Sequence, residues 1–252
     1  MNDLRPLYDR ELLLLGAKRN VVLDLWEVQR YGSDSYGDTD YVSIYGMRPA
    51  DWHAKGVRLL GRTAVECTRD RLGDAIGKDV AAIVATRPSS APAVVVDPFA
   101  GSGNTLYWVL RHLPGSRVVG FESDATVFRL TRHNIAALAL PIDILNTDYL
   151  SGLAGISVAS DELLILFIAP PWGDAFDRTS GVDLRRTTPP TTEIVGLPAT
   201  QVLPEPPTVR HPSLRGRPSC LHGRVESPFR LVDTANLRTE YARAEPWNSS
   251  WC

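Results

Sequence analysis

The stretch DPFAGSGNT, residues 97–105, sets Gly101, Ser102 and Gly103 between a short apolar run and a helix-like segment. Without a Cβ in the way, backbone N–H groups in such a turn can approach a ligand closely. A dinucleotide-binding turn would read GxGxxG, but position 106 is Leu and the third glycine is missing. Glu122 follows Gly103 by 19 residues and ends the run RVVGFE. A carboxylate at a strand tip can accept hydrogen bonds from both hydroxyls of a ribose. Asp148, in NTDYL, ends a third run. It suits an adenine amino group, with Tyr149 or Leu150 against the ring, and equally well the N-cap of a helix.

A fourth stretch, LLILFIAPPWGDAF (163–176), carries six apolar residues straight into two prolines and a tryptophan. A strand that had only to turn would more often use Gly, Asn or Asp. A Pro-Pro pair stiffens the loop and has no N–H to donate, so the carbonyls of Ala169 and Pro170 can serve as acceptors for a planar amino group, with Pro171 fixing the bend. Trp172 offers a face for a base, and base–aromatic stacking contributes roughly 1–3 kcal/mol; it can also pack under the loop as a core residue. Further on, Arg185 and Arg186 suit either nucleic-acid phosphates or a solvated basic loop.

These residues need a scaffold, and the pattern between them supplies one. AVVVD (93–97), RVVGFE (117–122), IDILNTD (142–148) and LLILFIA (163–169) read as strands, with helix-like segments between them. Ser123 or Asp124 can cap the second helix, whose Val127, Phe128, Ile135 and Leu138 fall on one side. Strands this apolar, alternating with helices, predict a parallel α/β sheet covered on both faces, with the ligand beyond the carboxyl ends of the strands. The four chemical stretches all fall at those ends.

Three regions differ in texture. Residues 1–90 form an N-terminal extension, partly helical: Val65, Leu72, Ile76, Val80, Ile83 and Val84 recur at helical spacing, after an aromatic-rich stretch holding Trp26, Tyr31, Tyr36, Tyr41, Tyr45 and Trp52. Those aromatics could cover a site or pack on the sheet, and packing is the expectation. Residues 91–196 hold the α/β core. Residues 197–252 contain eight prolines, no lysine and no isoleucine, and are expected to be irregular or disordered chain without strands.

The formal net charge is -2 and the pI near 6.2, which gives no general electrostatic footprint for nucleic acid. The run LLLL (12–15) is too short and too flanked by charge for a membrane span or signal peptide, so a cytoplasmic protein without a membrane partner is expected. Cys67, Cys220 and Cys252 lack metal-ligand spacing, and no metal site is expected.

In combination, residues 93–190 resemble the class I S-adenosylmethionine-dependent methyltransferases. The resemblance implies a Rossmann-like parallel sheet with helices on both faces and S-adenosyl-L-methionine as cofactor. It implies that Asp97, Phe99, Gly101, Ser102, Gly103 and Asn104 wrap the methionine and ribose part, that Glu122 holds the ribose, and that Asp148 and Tyr149 meet the adenine. APPWG then stands where amino-methylating branches carry (Asp/Asn/Ser)-Pro-Pro-(Tyr/Phe/Trp), making Ala169, Pro170, Pro171 and Trp172 the catalytic loop. The likeness is greatest to the RNA guanine-N2 methyltransferases of the trimethylguanosine synthase type, and extends to small ribosomal RNA guanine methyltransferases.

Two departures from that pattern matter. Ala169 lacks the side-chain acceptor usual at its position, which leaves a small-molecule substrate open beside RNA. The family's sheet has seven strands, and the tail offers none, so the core is expected to lack its last strands. A chain truncated or out of its ancestral frame after about Gly196 would explain this, and would make it a non-catalytic remnant or dependent on a partner chain that completes the sheet. DNA adenine methylation is disfavoured because no separate target-recognition domain is visible.

Overall fold

Strand β1 (Ala93–Asp97) has every residue buried, which is why its sequence is an unbroken apolar run rather than an alternating one. The computed structural model describes residues 7–86, 93–159, 162–171, 175–177, 181–195 and 230–233. In it β1 pairs in parallel with β2 (Arg117–Phe121) on one side and β4 (Leu163–Ile168) on the other. β3 (Asp143–Leu145) adds in parallel to β2. Between successive strands run α5 (Asn104–His112), α6 (Ala125–Ala137) and α7 (Tyr149–Ala154).

The pleat divides the core in two. Val95, Val118, Ile144 and Ile165 pack with Leu106 and Val109 of α5 and Ile135 of α6 on one face. Val94, Val96, Val119 and Phe121 pack with Leu153 of α7 and with Ile156 on the other. Parallel strands joined by helices that cover both faces make this a Rossmann-like fold, as the pattern predicted.

The tail differs from expectation. β7 (Arg230–Asp233) pairs in parallel with β4, Ile165 opposite Arg230 and Ile168 opposite Asp233, giving the order β3-β2-β1-β4-β7. Four residues two positions after Pro228 were too short a run to read as a strand. One ladder against β4 suffices at the margin of a sheet, where proline nearby is tolerated. The far side of β4 is therefore filled from within the chain. The remaining strands of a seven-stranded sheet have no counterpart among the described residues, and the rest of the tail lies outside them. After β4 come a two-residue ribbon of β5 (Phe176–Asp177) and β6 (Gly181–Val182), then α8 (Thr191–Val195).

The N-terminal extension contributes α1 (Leu25–Tyr36), α2 (Pro49–Ala54), α3 (Gly61–Glu66) and α4 (Asp70–Ala85). A capping box of Asp24 and Glu27 starts α1, and Pro49 starts α2. The single helical pattern read across Val65 to Val84 is in fact α3 and α4, broken at residues 67–69, where Arg69 is extended. The break has a visible cause: the Thr68 carbonyl accepts from Asn104 Nδ2 at 2.8 Å, and the Arg69 guanidinium reaches back to the Ala64 carbonyl at 2.7 Å. The aromatics pack, but into the extension's own core with Leu13, Val28 and Ile44 rather than on the sheet. Trp52, Tyr31 and Tyr45 are buried, and Tyr36 stacks on Tyr41 at 3.5 Å; Trp26 is the exception, 55% exposed.

Candidate functional site

Asp97, Glu122, Asp148 and Ala169 stand at or just past the carboxyl ends of β1, β2, β3 and β4, along one rim of the sheet. The turn after β1 is built from left-handed glycines, Gly101 at φ +49 and Gly103 at φ +73, a region other residues enter at a cost. Among the described residues, a Cβ on Gly101 would meet only the Phe99 carbonyl, at 3.9 Å, so none of them fills the space over the turn. Below it the packing is tight. A Cβ on Gly120 of β2 would stand 2.7 Å from the Ala100 Cβ, so only glycine lets the turn sit this close to the strand.

Hydrogen bonds fix the turn from several directions. Asp97 Oδ1 accepts from Phe99 N–H at 2.9 Å, and Glu122 Oε2 accepts from Gly101 N–H at 3.2 Å. Ala100 N–H donates to the Phe121 carbonyl at 2.8 Å, and Thr131 Oγ1 of α6 donates to the Gly101 carbonyl at 2.6 Å. The rings of Phe99 and Tyr149, from the β1 and β3 tips, lie 5.5 Å apart with a 35° tilt. Two residues 50 positions apart in sequence thus share one wall of the rim.

The carboxylates differ in their surroundings. Burial pushes the Asp97 carboxyl up to about 7, against the Phe99 N–H bond that favours its charge, and Glu122 adds like-charge repulsion. Burial also raises Glu122, while N–H bonds from Asp124 and Gly101 and the nearby Arg62 pull the other way. Asp148 is exposed and its carboxyl is lowered, first by the Ser151 backbone N–H. Of the two roles open to Asp148, the capping one is realised: it is the N-cap of α7, and its Oδ1 accepts from Leu150 and Ser151 N–H at 2.9 and 3.0 Å.

Asn104 and Ser102 face the extension. Asn104 is fully buried: its Oδ1 accepts from Tyr45 N–H at 2.6 Å, and its Nδ2 donates to the Thr68 carbonyl and, at 3.1 Å, to Asp70 Oδ1. The Tyr45 hydroxyl donates to the Ser102 carbonyl. Tyr45 has φ +55 and Gly46 φ +70 in a tight turn closed by reciprocal bonds between Ile44 and Met47. Tyr45, Thr131 and Arg62 neighbour the rim; of these the sequence marks only Tyr45, as one of the extension's aromatics, with Gly46 beside it as the local sign of a turn.

At the β4 tip Ala169 is half-buried, Pro170 buried and Pro171 exposed. The Pro171 carbonyl accepts from Thr188 N–H at 3.2 Å, which ties the loop to the segment before α8. Trp172 lies outside the described residues. Arg185 is paired with Asp183, Nε to Oδ1 at 2.8 Å and Nη2 to Oδ2 at 2.9 Å, whereas Arg186 is exposed. Among the described residues no cluster of three or more His, Cys, Asp or Glu side chains is placed to hold a metal ion, and no helix is long and apolar enough to cross a membrane.

No protein-family model matches the chain. In sequence it is similar to trimethylguanosine synthase of Schizosaccharomyces pombe, 23% identical over 122 residues, 47% of each protein. The chain thus spans about half the length of that curated relative. Among solved structures it is similar to a methyltransferase from Geobacter sulfurreducens, with 22% identity, 40% of this chain and 46% of that one covered, and a TM-score of 0.31. It is also similar to the plantazolicin methyltransferase BpumL in complex with a pentazolic desmethylPZN analogue and SAH, with 15% identity, 37% and 34% covered, and a TM-score of 0.28.

Proposed function

We propose that the chain is an S-adenosylmethionine-dependent methyltransferase acting on an amino group of an RNA base, guanine N2 first among them. The observation that carries this reading is the Glu122–Gly101 contact: the strand-two acid and the glycine turn meet at 3.2 Å, with no described residue filling the space over Gly101. The rim fits the cofactor chemically. After accepting from Asp124 and Gly101, the Glu122 carboxylate keeps lone pairs for two ribose hydroxyls. Phe99 and Tyr149 offer apolar surface for adenine beside Asp148. The sequence likeness to trimethylguanosine synthase supports the choice of guanine.

In this reading residues 91–196 are the catalytic core, residues 1–90 a packed extension and residues 197–252 a tail. When bound, the cofactor supplies a methyl group already made electrophilic by its sulfonium. The chain's task is alignment. Asp97, Gly101, Ser102 and Gly103 hold the methionine and ribose part, with Asn104 fixing the turn from behind. The carbonyls of Ala169 and Pro170 accept from the amino group, and Trp172 stacks on the base, so the nitrogen lone pair points at the methyl carbon. Well-oriented reactants can gain about 7–11 kcal/mol in this way.

A second reading, the same chemistry on a small molecule, is favoured by Ala169, which has no side-chain acceptor, and by Arg185, whose charge is matched by Asp183. Titration calorimetry with S-adenosylmethionine and S-adenosylhomocysteine comes first: micromolar binding, lost in Glu122→Ala, is expected. Well-folded protein that binds neither removes the methyltransferase reading and leaves a non-catalytic remnant. Labelled cofactor with bulk RNA then separates the two substrates, and transfer to RNA should fall at least fivefold in Trp172→Ala.

A further inference from the structure

We propose that Arg62, on the N-terminal extension, is a positioning residue for the rim: it holds Asp124 against the β2 tip and so keeps Glu122 oriented and charged for its ligand. The inference rests on the reading of Glu122 as the ribose acceptor and assigns a specific task to the extension.

The path is short and continuous. Arg62 Nη2 meets Asp124 Oδ2 at 2.7 Å, with the arginine side chain 13% exposed, so the pair is shielded from solvent on the arginine side. Asp124 divides its work. Its Oδ1 accepts from Thr126 and Val127 N–H at 2.9 and 3.0 Å, capping α6, and its Oδ2 takes the guanidinium. Its own N–H donates to Glu122 Oε1 at 2.8 Å, while Gly101 N–H holds Oε2. The Glu122 carboxylate is thus clamped between the α6 cap and the glycine turn, and Arg62 anchors the cap.

The charges point the same way. Among the described residues, burial and Asp124 before α6 oppose the ionisation of Glu122 and Arg62 from α3 favours it, while Glu122 in turn raises the buried Asp97 of β1. Arg62 is the cation of the set. Its buried Nε has no hydrogen-bond partner among the described residues, and a leucine or methionine would fill the same volume without that cost. Packing alone therefore does not account for an arginine here.

Two measurements test this. In ligand-free protein, the Glu122 side-chain carboxyl, followed by carbon NMR, should titrate at higher pH in Arg62→Gln than in wild type, and near the wild-type value in Arg62→Lys. In calorimetry with S-adenosylhomocysteine from pH 5.5 to 8.5, Arg62→Gln should bind about tenfold more weakly at pH 7. That loss should grow as pH falls and shrink as it rises, with Arg62→Lys restoring most of the affinity. Arg62→Met, which keeps the buried volume, takes the place of Arg62→Gln if the latter does not fold. An unmoved Glu122 titration, or an affinity loss equal at every pH, overturns the inference while wild-type binding stands. Wild-type protein that binds no S-adenosylhomocysteine overturns the reading of Glu122 itself, and this inference with it.

Discussion

Asn104 Oδ1 accepts the backbone N–H of Tyr45 at 2.6 Å, a bond that spans 59 positions and joins the glycine turn to the N-terminal extension. Because the same side chain also serves Thr68 and Asp70, it acts as a fully buried three-way joint directly behind Gly103. A turn whose φ values are left-handed is held in place from outside itself, by Asn104, Tyr45 and Thr131.

Removing that joint should be costly. Asn104→Ala leaves the buried Tyr45 N–H and the part-buried Thr68 carbonyl without this partner, and a fully buried group left so costs about 1–3 kcal/mol. Urea denaturation should therefore show a loss of about 2–4 kcal/mol, and the Tyr45 amide should lose hydrogen-exchange protection. A loss below about 0.5 kcal/mol would mean that the extension and the core are held together elsewhere.

Asp97 gives a prediction with a definite sign. Its folded carboxyl is raised from 3.8 to about 7, so between those values the folded state holds a proton that the unfolded state releases. Stability from this group is thus present at low pH and falls as pH rises through the window, reaching a ceiling cost of about 4 kcal/mol above it at 1.36 kcal/mol per pKa unit. Asp97→Asn keeps an acceptor for Phe99 N–H and removes the charge. The variant should match the wild type only below the unfolded value of 3.8 and exceed it in urea stability at pH 8, while binding S-adenosylhomocysteine more weakly. Equal stability of the two proteins at pH 8 would show that the buried carboxylate is not strained. A residue kept at the expense of stability is what a ligand-binding role requires.

How much of this was visible in the sequence depends on distance along the chain. β1, β2 and β4 declared themselves because each is a local apolar run ending at the rim, and the glycine turn did so because left-handed φ demands glycine at Gly101 and Gly103. Asp124 was readable as a cap for the same local reason. The bonds of Asn104 were not, since no short-range pattern marks a side chain whose partners lie 34 to 59 positions away. Nor was the break between α3 and α4, which tertiary contacts impose on a continuous helical periodicity. β7 escaped because four residues carry too little pattern to outweigh the prolines around them.

The Phe99–Tyr149 pair tests where the adenine lies. Their rings, 5.5 Å apart and tilted by 35°, come from the turns after two different strands. If they form the adenine wall, truncating either one removes apolar surface from the ligand, and Phe99→Ala or Tyr149→Ala should each weaken S-adenosylhomocysteine binding about five- to twentyfold. Because the two rings touch each other, the effects should not add. A double-mutant cycle on affinity should show coupling of about 0.5–1.5 kcal/mol, the range for aromatic pairs. Free adenosine should lose affinity in the same proportion, since the wall faces the base and not the methionine. Variants that bind adenosine as the wild type does would move the adenine elsewhere on the rim, whatever the fate of the methionine end.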